Sequence, residues 1–402
     1  MLKQAILPGT TASGQQTTLG VMGGGQLGRM FVHAAQRMGY FTAVLDPDPA
    51  SPAGLVSHFH VQADYLDTQA LAQMMQHCAA ITTEFENVPS GAMRTLGEHR
   101  TVSPSSRSLA IAQDRMREKA HFKVCGVPTA PYAVISTAQE LASVDDALLP
   151  GILKTARLGY DGKGQVRVRD RAELAAAWAQ LKSVACVLER QLDLRAECSV
   201  LVARGWDGAM VTYPVQRNLH RDGILAMTEV FDGNLAPELA ESALHAARAV
   251  AQELQYVGVL CVEFFVVAQD GAEVLLVNEI APRPHNSGHY TLDACDESQF
   301  DLQVRTLAGL PLTQPRQHSP AIMLNLLGDL WYDAPGHPGG DAPQTPDWSA
   351  LLALPGVHLH LYGKLRASRG RKMGHLTITA ASVDQVRATA QQAASLLGLD
   401  LP

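Results

Sequence analysis

Glu263 and Glu279 lie at equal distance from Gly271, in a segment made of two β-rich runs. An odd-residue loop centred on Gly271 would set the two carboxylates directly opposite each other across a hairpin, where facing Cβ atoms are about 4.5–5.5 Å apart. Like charges so placed repel, and a shared cation resolves the conflict. Hard oxygen ligands turned toward phosphates point to Mg²⁺. Both glutamates sit among apolar residues (Cys261, Val262, Phe264, Ile280), which favours a built site over two solvated charges on an edge hairpin. Asn278 adjoins Glu279 and in regular strand would face the other side.

A second group lies upstream. Lys154 ends an apolar strand and is followed by Gly159-Tyr160-Asp161-Gly162-Lys163-Gly164-Gln165. Three glycines flanking charged residues make a mobile loop whose amides and lysine can close over polyphosphate. The plainer alternative is a Gly-rich hairpin with no ligand. Next comes Val187-Leu188-Glu189-Arg190-Gln191-Leu192, then Glu197. Its apolar residues could flank an adenine ring, the backbone around Arg190 and Leu192 could read the ring edge, and Glu197 could hold a ribose; an exposed edge strand is the alternative. A weaker signal is Gly23-Gly24-Gly25-Gln26-Leu27-Gly28, a GxGxxG run with Asp46 near the end of the next strand. It suits either an anion at a helix N-terminus, as in a dinucleotide-binding dehydrogenase, or a tight turn packing helix on strand.

These groups need elements to position them. From Thr18 the pattern alternates. A strand through Val21 precedes apolar residues at helical spacing (Leu27, Met30, Phe31, Ala34, Ala35, Met38) ended by Gly39, and a strand follows through Ala43 to Leu45. A helix with Leu71, Met74, Met75 and Cys78 on one face leads to a strand ending in Thr82-Thr83-Glu84-Phe85-Glu86-Asn87. That βαβαβ order predicts a parallel sheet covered by helices. From about Val127 to Val277, strands joined by Gly-rich turns and interrupted by one long helix predict an α+β unit. Beyond Leu310, alternation in Val357 to Tyr362 and Leu376 to Thr379 predicts half-buried strands of a small terminal domain.

Bulk properties narrow the classes. The 402 residues are 47% hydrophobic and 18% charged, enough for two or three packed domains. A formal net charge of −7 without a long basic block argues against duplex nucleic acid or an anionic membrane as the main partner. Six cysteines without a CxxC pair read as scattered thiols of a reducing compartment. No stretch is apolar and long enough to span a bilayer, and Pro8 cuts short the apolar start. A cytoplasmic protein is therefore expected.

In their order, Lys154, the Gly159 loop, Glu189, Glu197, Glu263 and Asn278-Glu279 resemble the ATP-grasp enzymes. More closely, from about Leu19 to Leu399, the chain resembles the N5-carboxyaminoimidazole ribonucleotide synthetase family of purine biosynthesis. The motifs are Gly24-Gly25-Gln26-Leu27-Gly28-Arg29-Met30, Glu84-Phe85-Glu86-Asn87-Val88, Gln113-Asp114-Arg115, the Gly159 loop, Asn218-Leu219-His220-Arg221-Asp222-Gly223-Ile224, Asn278-Glu279-Ile280-Ala281-Pro282-Arg283-Pro284-His285-Asn286-Ser287-Gly288-His289, and Gly370-Arg371-Lys372-Met373-Gly374-His375. Arg217 departs from the pattern, standing where many members carry an acid.

The resemblance implies an ATP-grasp fold of mixed α/β and α+β class. It would comprise a Rossmann-like parallel-sheet domain (18–118), an ATP-grasp domain (119–308) and a small β-rich C-terminal domain (309–402); residues 1–17, which lack periodicity and are extra to the family pattern, read as a flexible tail. It implies an ATP- and Mg²⁺-dependent carbon–nitrogen ligase that carboxylates 5-aminoimidazole ribonucleotide with bicarbonate by way of carboxyphosphate, in a protein expected to be a homodimer. ATP would be held by Arg115, Lys154, the loop Gly159 to Gln165, Glu189, Arg190, Gln191, Leu192, Glu197, His220, Asn278 and Glu279. The metal would lie on Glu263 and Glu279. Arg283, His285 and Asn286, with Lys154, would serve bicarbonate and its activation, with the general base open between His285 and His289. Gln26, Leu27, Glu84, Asn87, Lys364, Arg371 and Lys372 would hold the ribonucleotide. A formate-using transformylase, an amino-acid ligase, a dehydrogenase and a nucleotide-binding regulatory module are the rival readings.

Overall fold

The computed structural model describes residues 4–10, 14–157, 159, 164–333 and 343–401. Strands β1 (Thr18–Met22), β2 (Phe41–Leu45), β3 (Phe59–Val61), β4 (Ala80–Thr83) and β5 (Thr101–Val102) form a parallel sheet in the order β3-β2-β1-β4-β5. Strand β1 is buried along its whole length, as a central parallel strand covered on both faces must be. The helix Gln26–Arg37 turns Leu27, Phe31, Val32 and Ala35 onto one face of this sheet, where Phe300, Val304 and Leu307 of the helix Gln299–Ala308 join the same core. The chain reverses its strand order between β1 and β4, so the segments leaving their C-terminal ends border the crevice where open α/β sheets take ligands. Those segments are Gly23 to Gln26 and Glu84 to Asn87.

The β4 strand stops at Thr83, short of the expected Asn87. The Thr83 hydroxyl donates to Phe85 O at 2.9 Å, a side-chain-to-backbone turn that competes with strand pairing. Part of the expected tail is also held: Ile6 N–H donates to Ala308 O at 2.8 Å and the Tyr40 hydroxyl to Ile6 O at 2.6 Å.

Strands β6 (Tyr132–Ile135), β7 (Gly151–Thr155), β8 (Gln165–Val168) and β9 (Cys186–Arg190) make a small antiparallel sheet, β6-β9-β7-β8. The largest sheet contains β10 (Leu194–Arg204), β11 (Met210–Thr212), β12 (Gln216–Arg221), β13 (Ile224–Val230), β14 (Gly258–Gln269), β15 (Ala272–Ala281), β16 (Ala321–Leu327), β17 (Val357–Leu361) and β18 (Lys372–Thr379), in the order β15-β14-β10-β12-β13-β16-β18-β17 with β11 on β10. The helix Pro237–Glu253 packs Ala243, Ala247 and Val250 under β10 and β14. The C-terminal strands thus extend the central sheet through the β13–β16 pairing. Leu376, Thr377 and Ile378 are buried rather than half-buried, because the helix Val383–Leu397 joins Leu376 and Ile378 in one core and His289 and His360 stack on the neighbouring His375. Among the described residues no helix is long and apolar enough to cross a membrane.

Candidate active site

The hairpin β14–β15 closes through Asp270 and Gly271, both at positive φ (51° and 81°), with Gln269 paired to Ala272. This is a two-residue turn of the kind whose twist matches the strands, not the odd-residue loop expected. Its register alone would put Glu263 opposite Asn278. An irregularity between Glu263 and Phe264 shifts the pairing by one, so that Glu263 faces Glu279. Such a bulge sets two residues against one, and Asn278 and Glu279 both border the same cavity.

That cavity, about 670 Å³, runs between the three sheets. Above Glu279, Arg115 Nη1 donates to Glu279 Oε2 at 2.8 Å. Below it, Lys154 Nζ reaches Glu189 Oε2 at 2.8 Å and Lys119 Nζ reaches Glu189 Oε1 at 3.0 Å. Burial pushes the Glu189 carboxyl up, but Lys154 and Lys119 outweigh it and hold the group down at about 2. Lys119 also donates to Asn278 O at 3.2 Å, and Glu118 accepts the Ile280 N–H at 2.8 Å. Neither Lys119 nor Glu118 was singled out in the sequence. Their signal was available: both share a face with Arg115 at helical spacing in Arg115–Val124.

Two of the apolar residues expected to flank an adenine ring do not border the cavity. Val187 and Leu188 are fully buried, Leu188 in the core beneath β7 and β9. The apolar lining comes instead from Ile152, Leu194, Leu225 and Phe265, beside Arg190, Gln191 and Leu192. Glu197 and His220 face each other across β10 and β12 and form an ion pair. Burial lowers the His220 pKa, Glu197 raises it, and the carboxylate prevails. Gly159 and Gln165 border the cavity, and Gly164 (φ 73°) accepts the Thr155 N–H through its carbonyl at 2.8 Å. Tyr160, Asp161, Gly162 and Lys163 lie outside the described residues.

Beyond β15 the chain presents Arg283, His285 and Asn286 to the cavity. Arg283 Nε donates to Glu86 Oε2 at 2.6 Å, and His285 Nε2 lies 3.2 Å from Glu263 Oε1. His285 Nδ1 accepts the Ser287 N–H at 3.3 Å, so the ring donates from Nε2 toward Glu263. Burial raises the Glu263 pKa, but His285 and His220 bring it below the usual carboxylate range. Asn286 Nδ2 is buried and has no partner among the described residues.

At the far end, Gln26, Leu27, Glu84, Asn87 and Lys372 line the cavity, whereas the expected Lys364 and Arg371 are not among its lining residues. Lys364 Nζ donates to Lys372 O at 2.5 Å, and burial together with Arg371 lowers its pKa to about 8. Three glycine donors of the GxGxxG turn are already taken by the chain's own side chains. Gly25 and Gly28 N–H donate to Glu84 Oε1 and Oε2 at 2.9 and 3.1 Å, and Gly24 N–H to Asp46 Oδ2 at 2.7 Å. The chain's own carboxylates occupy the donors a dinucleotide pyrophosphate would need, which removes the basis of the dehydrogenase reading. A Cβ on Gly25 would lie 2.5 Å from Glu84 Oε1. Gly25→Ala is thus expected to displace Glu84 and raise KM for the substrate at this end, leaving KM for ATP unchanged in steady-state assays.

The donor set suits Mg²⁺. Among the described residues no three His, Cys, Asp or Glu side chains gather into a metal cluster. Two facing carboxylates with Asn278 Oδ1 beside them, buried and without a partner among the described residues, match an ion held by one or two carboxylates and completed by phosphate oxygens.

Family models match three consecutive stretches: a ribonucleotide synthetase preATP-grasp domain at residues 16–113, an ATP-grasp domain at 120–300 and a phosphoribosylaminoimidazole carboxylase C-terminal domain at 321–389. The N5-carboxyaminoimidazole ribonucleotide synthase of Brucella melitensis is 41% identical over 380 residues, covering 94% of this chain and 98% of that one. Its counterpart in Bacillus subtilis is 39% identical over 378 residues, covering 94% and 93%. A solved ADP complex of an N5-carboxyaminoimidazole ribonucleotide synthetase superposes with a TM-score of 0.84 at 36% identity, over 97% of each chain. The Aspergillus clavatus enzyme in complex with ADP and 5-aminoimidazole ribonucleotide gives 0.83 at 30%, over 95% of this chain and 98% of that one. With relatives this similar across nearly its whole length, the chain belongs to the N5-carboxyaminoimidazole ribonucleotide synthase family of ATP-grasp ligases.

Proposed function

We propose that this chain uses ATP and Mg²⁺ to carboxylate the amine of 5-aminoimidazole ribonucleotide with bicarbonate, releasing ADP and phosphate. One observation carries the reading: a single cavity joins a carboxylate and lysine group, a small cationic pocket at Arg283, His285 and Asn286, and a second pocket at Gln26, Glu84 and Lys372. Related solved enzymes in complex with ADP, with ATP, and with ADP and 5-aminoimidazole ribonucleotide support the assignment of the ends. Bicarbonate is a poor electrophile, and phosphorylation by ATP turns it into carboxyphosphate with a leaving group. Lys154 and Arg115, which line the cavity, neutralise charge on the transferring phosphoryl group, while buried Lys119 holds Glu189 and the Asn278 carbonyl. Glu263 and Glu279, with Asn278, would hold Mg²⁺, which when bound would supply charge neutralisation for the phosphates. Arg283, His285 and Asn286 hold the small anion beside the γ-phosphate. The amine nitrogen attacks the carboxyl carbon, the bond from that carbon to the phosphate oxygen breaks, and phosphate departs. The four-part division at residues 17, 118 and 308, a homodimer and a cytoplasmic location belong to the same proposal.

Phosphate release from ATP tests it: full turnover should require bicarbonate and the ribonucleotide together, and product should carry label from bicarbonate. Turnover driven by formate or an amino acid instead would overturn the reading.

Lys364, hydrogen-bonded to the Lys372 carbonyl, and Arg371, the chain neighbour of Lys372, are assigned to the ribonucleotide phosphate. A contact made alike in ground and transition states contributes uniform binding. Arg371→Ala is expected to raise KM for the ribonucleotide about ten- to a hundred-fold, the loss of one charge-assisted bond, with KM for ATP nearly unchanged. A main defect in KM for ATP would return the residue to the solvated surface.

A further inference from the structure

His289 is fully buried, yet it borders the cavity, and its Nε2 has no partner among the described residues. Hydrogen-bond logic fixes its tautomer. Gln299 Oε1 accepts the His285 N–H at 2.8 Å, and Gln299 Nε2 donates to the His285 carbonyl at 2.8 Å. A backbone N–H can only donate and a carbonyl can only accept, so the Gln299 amide has one allowed orientation. The same Nε2 lies 3.3 Å from His289 Nδ1, which must therefore accept. In the neutral ring the proton then resides on Nε2. Burial holds the His289 pKa well below its ordinary value, reinforced by His285, His360, Lys372 and Arg283. The ring stacks on His375 at 4.5 Å, and His375 on His360 at 4.5 Å, whose Nε2 meets Asp293 Oδ2 at 2.8 Å.

A buried N–H without an acceptor is unfavourable unless a ligand or water completes it. His289 borders the same cavity as Arg283, His285 and Lys372, and its ring stacks on His375 of β18, the strand that begins at Lys372. We infer that His289 is a substrate-binding donor, giving its Nε2–H to a lone-pair acceptor where amine and carboxyl group meet, and that it does not serve as the general base. This rests on the proposed carboxylation. The acceptor is either a ring nitrogen of the ribonucleotide base or a carboxyl oxygen derived from bicarbonate.

Two measurements test it. In the full-length protein without substrates, ¹⁵N NMR of labelled histidines should find His289 as the neutral Nε2–H tautomer; an Nδ1–H tautomer or a protonated ring near neutral pH overturns the inference whatever the reaction proves to be. In kinetics, His289→Phe keeps a ring to stack on His375 but loses the donor, and should raise KM for one of the two substrates about tenfold or more with KM for ATP unchanged. A rise for the ribonucleotide places the acceptor on the base, and a rise for bicarbonate places it on the carboxyl group. His289→Gln, which again offers an N–H, should recover most of the loss, and the acid limb of the kcat/KM pH profile should not move. Equal defects in both variants, an unaltered His289→Phe, or disappearance of the acid limb would overturn it. Wild-type protein that ignores bicarbonate would instead refute the proposed function and leave the NMR result standing.

Discussion

Glu279→Gln is expected to reduce ATP turnover on the order of 10²–10³-fold, the loss typical of removing one preorganised electrostatic group. Glu279 faces Glu263 across the bulged hairpin and pairs with Arg115 at 2.8 Å, so it links the cationic side of the cavity to the carboxylate side. The amide keeps the shape but removes one of only two facing carboxylates. Mg²⁺ binds through few protein oxygens and relies on their charge. Phosphate release titrated with Mg²⁺ checks this: excess metal should recover little activity. If the variant retains most of its turnover at ordinary Mg²⁺, the polyphosphate does not lie against this strand.

The largest effect on stability should come from Glu189→Gln. Glu189 is 3% exposed, Lys119 1% and Lys154 7%, and both ammonium groups lie within hydrogen-bond distance of its two oxygens. Removing the shared partner leaves two buried cations uncompensated, and breaking such a pair destabilises by roughly 3–5 kcal/mol. Denaturant unfolding at neutral pH should report that loss. The pH dependence has a definite sign. The folded carboxyl is depressed from 4.5 to about 2, so its contribution is complete above about 4.5 and is lost as pH falls toward about 2. The difference between wild type and variant should shrink across that window. Adding Lys119→Met removes one stranded charge, so the double variant should be more stable than Glu189→Gln alone. Mg²⁺-ATP should stabilise Glu189→Gln more than the wild type, since phosphate offers Lys154 a new counter-charge. An unchanged unfolding midpoint in Glu189→Gln would show that the lysines are solvated.

By itself the sequence determined the parallel N-terminal sheet, because uninterrupted apolar strands alternating with amphipathic helices admit few other arrangements. It also determined the chemical inventory, since glutamates among apolar neighbours and a glycine loop after a strand lysine are local patterns. The carboxylate pairing was legible for an incomplete reason: Gly271 marked the turn, but a two-residue loop would have paired Glu263 with Asn278, and only the bulge brings Glu279 opposite. Bulges follow from how a strand meets its neighbours, which local sequence does not encode. Tertiary structure alone assigned the Gly23 turn to Glu84 and Asp46, gave Glu189 two lysines from different elements, and moved Leu188 into the core while Phe265 took the cavity wall. Each of these depends on partners far away in the chain. A residue's type shows what chemistry it can do, whereas which donor, charge or ring it meets depends on packing between sheets that share no local sequence.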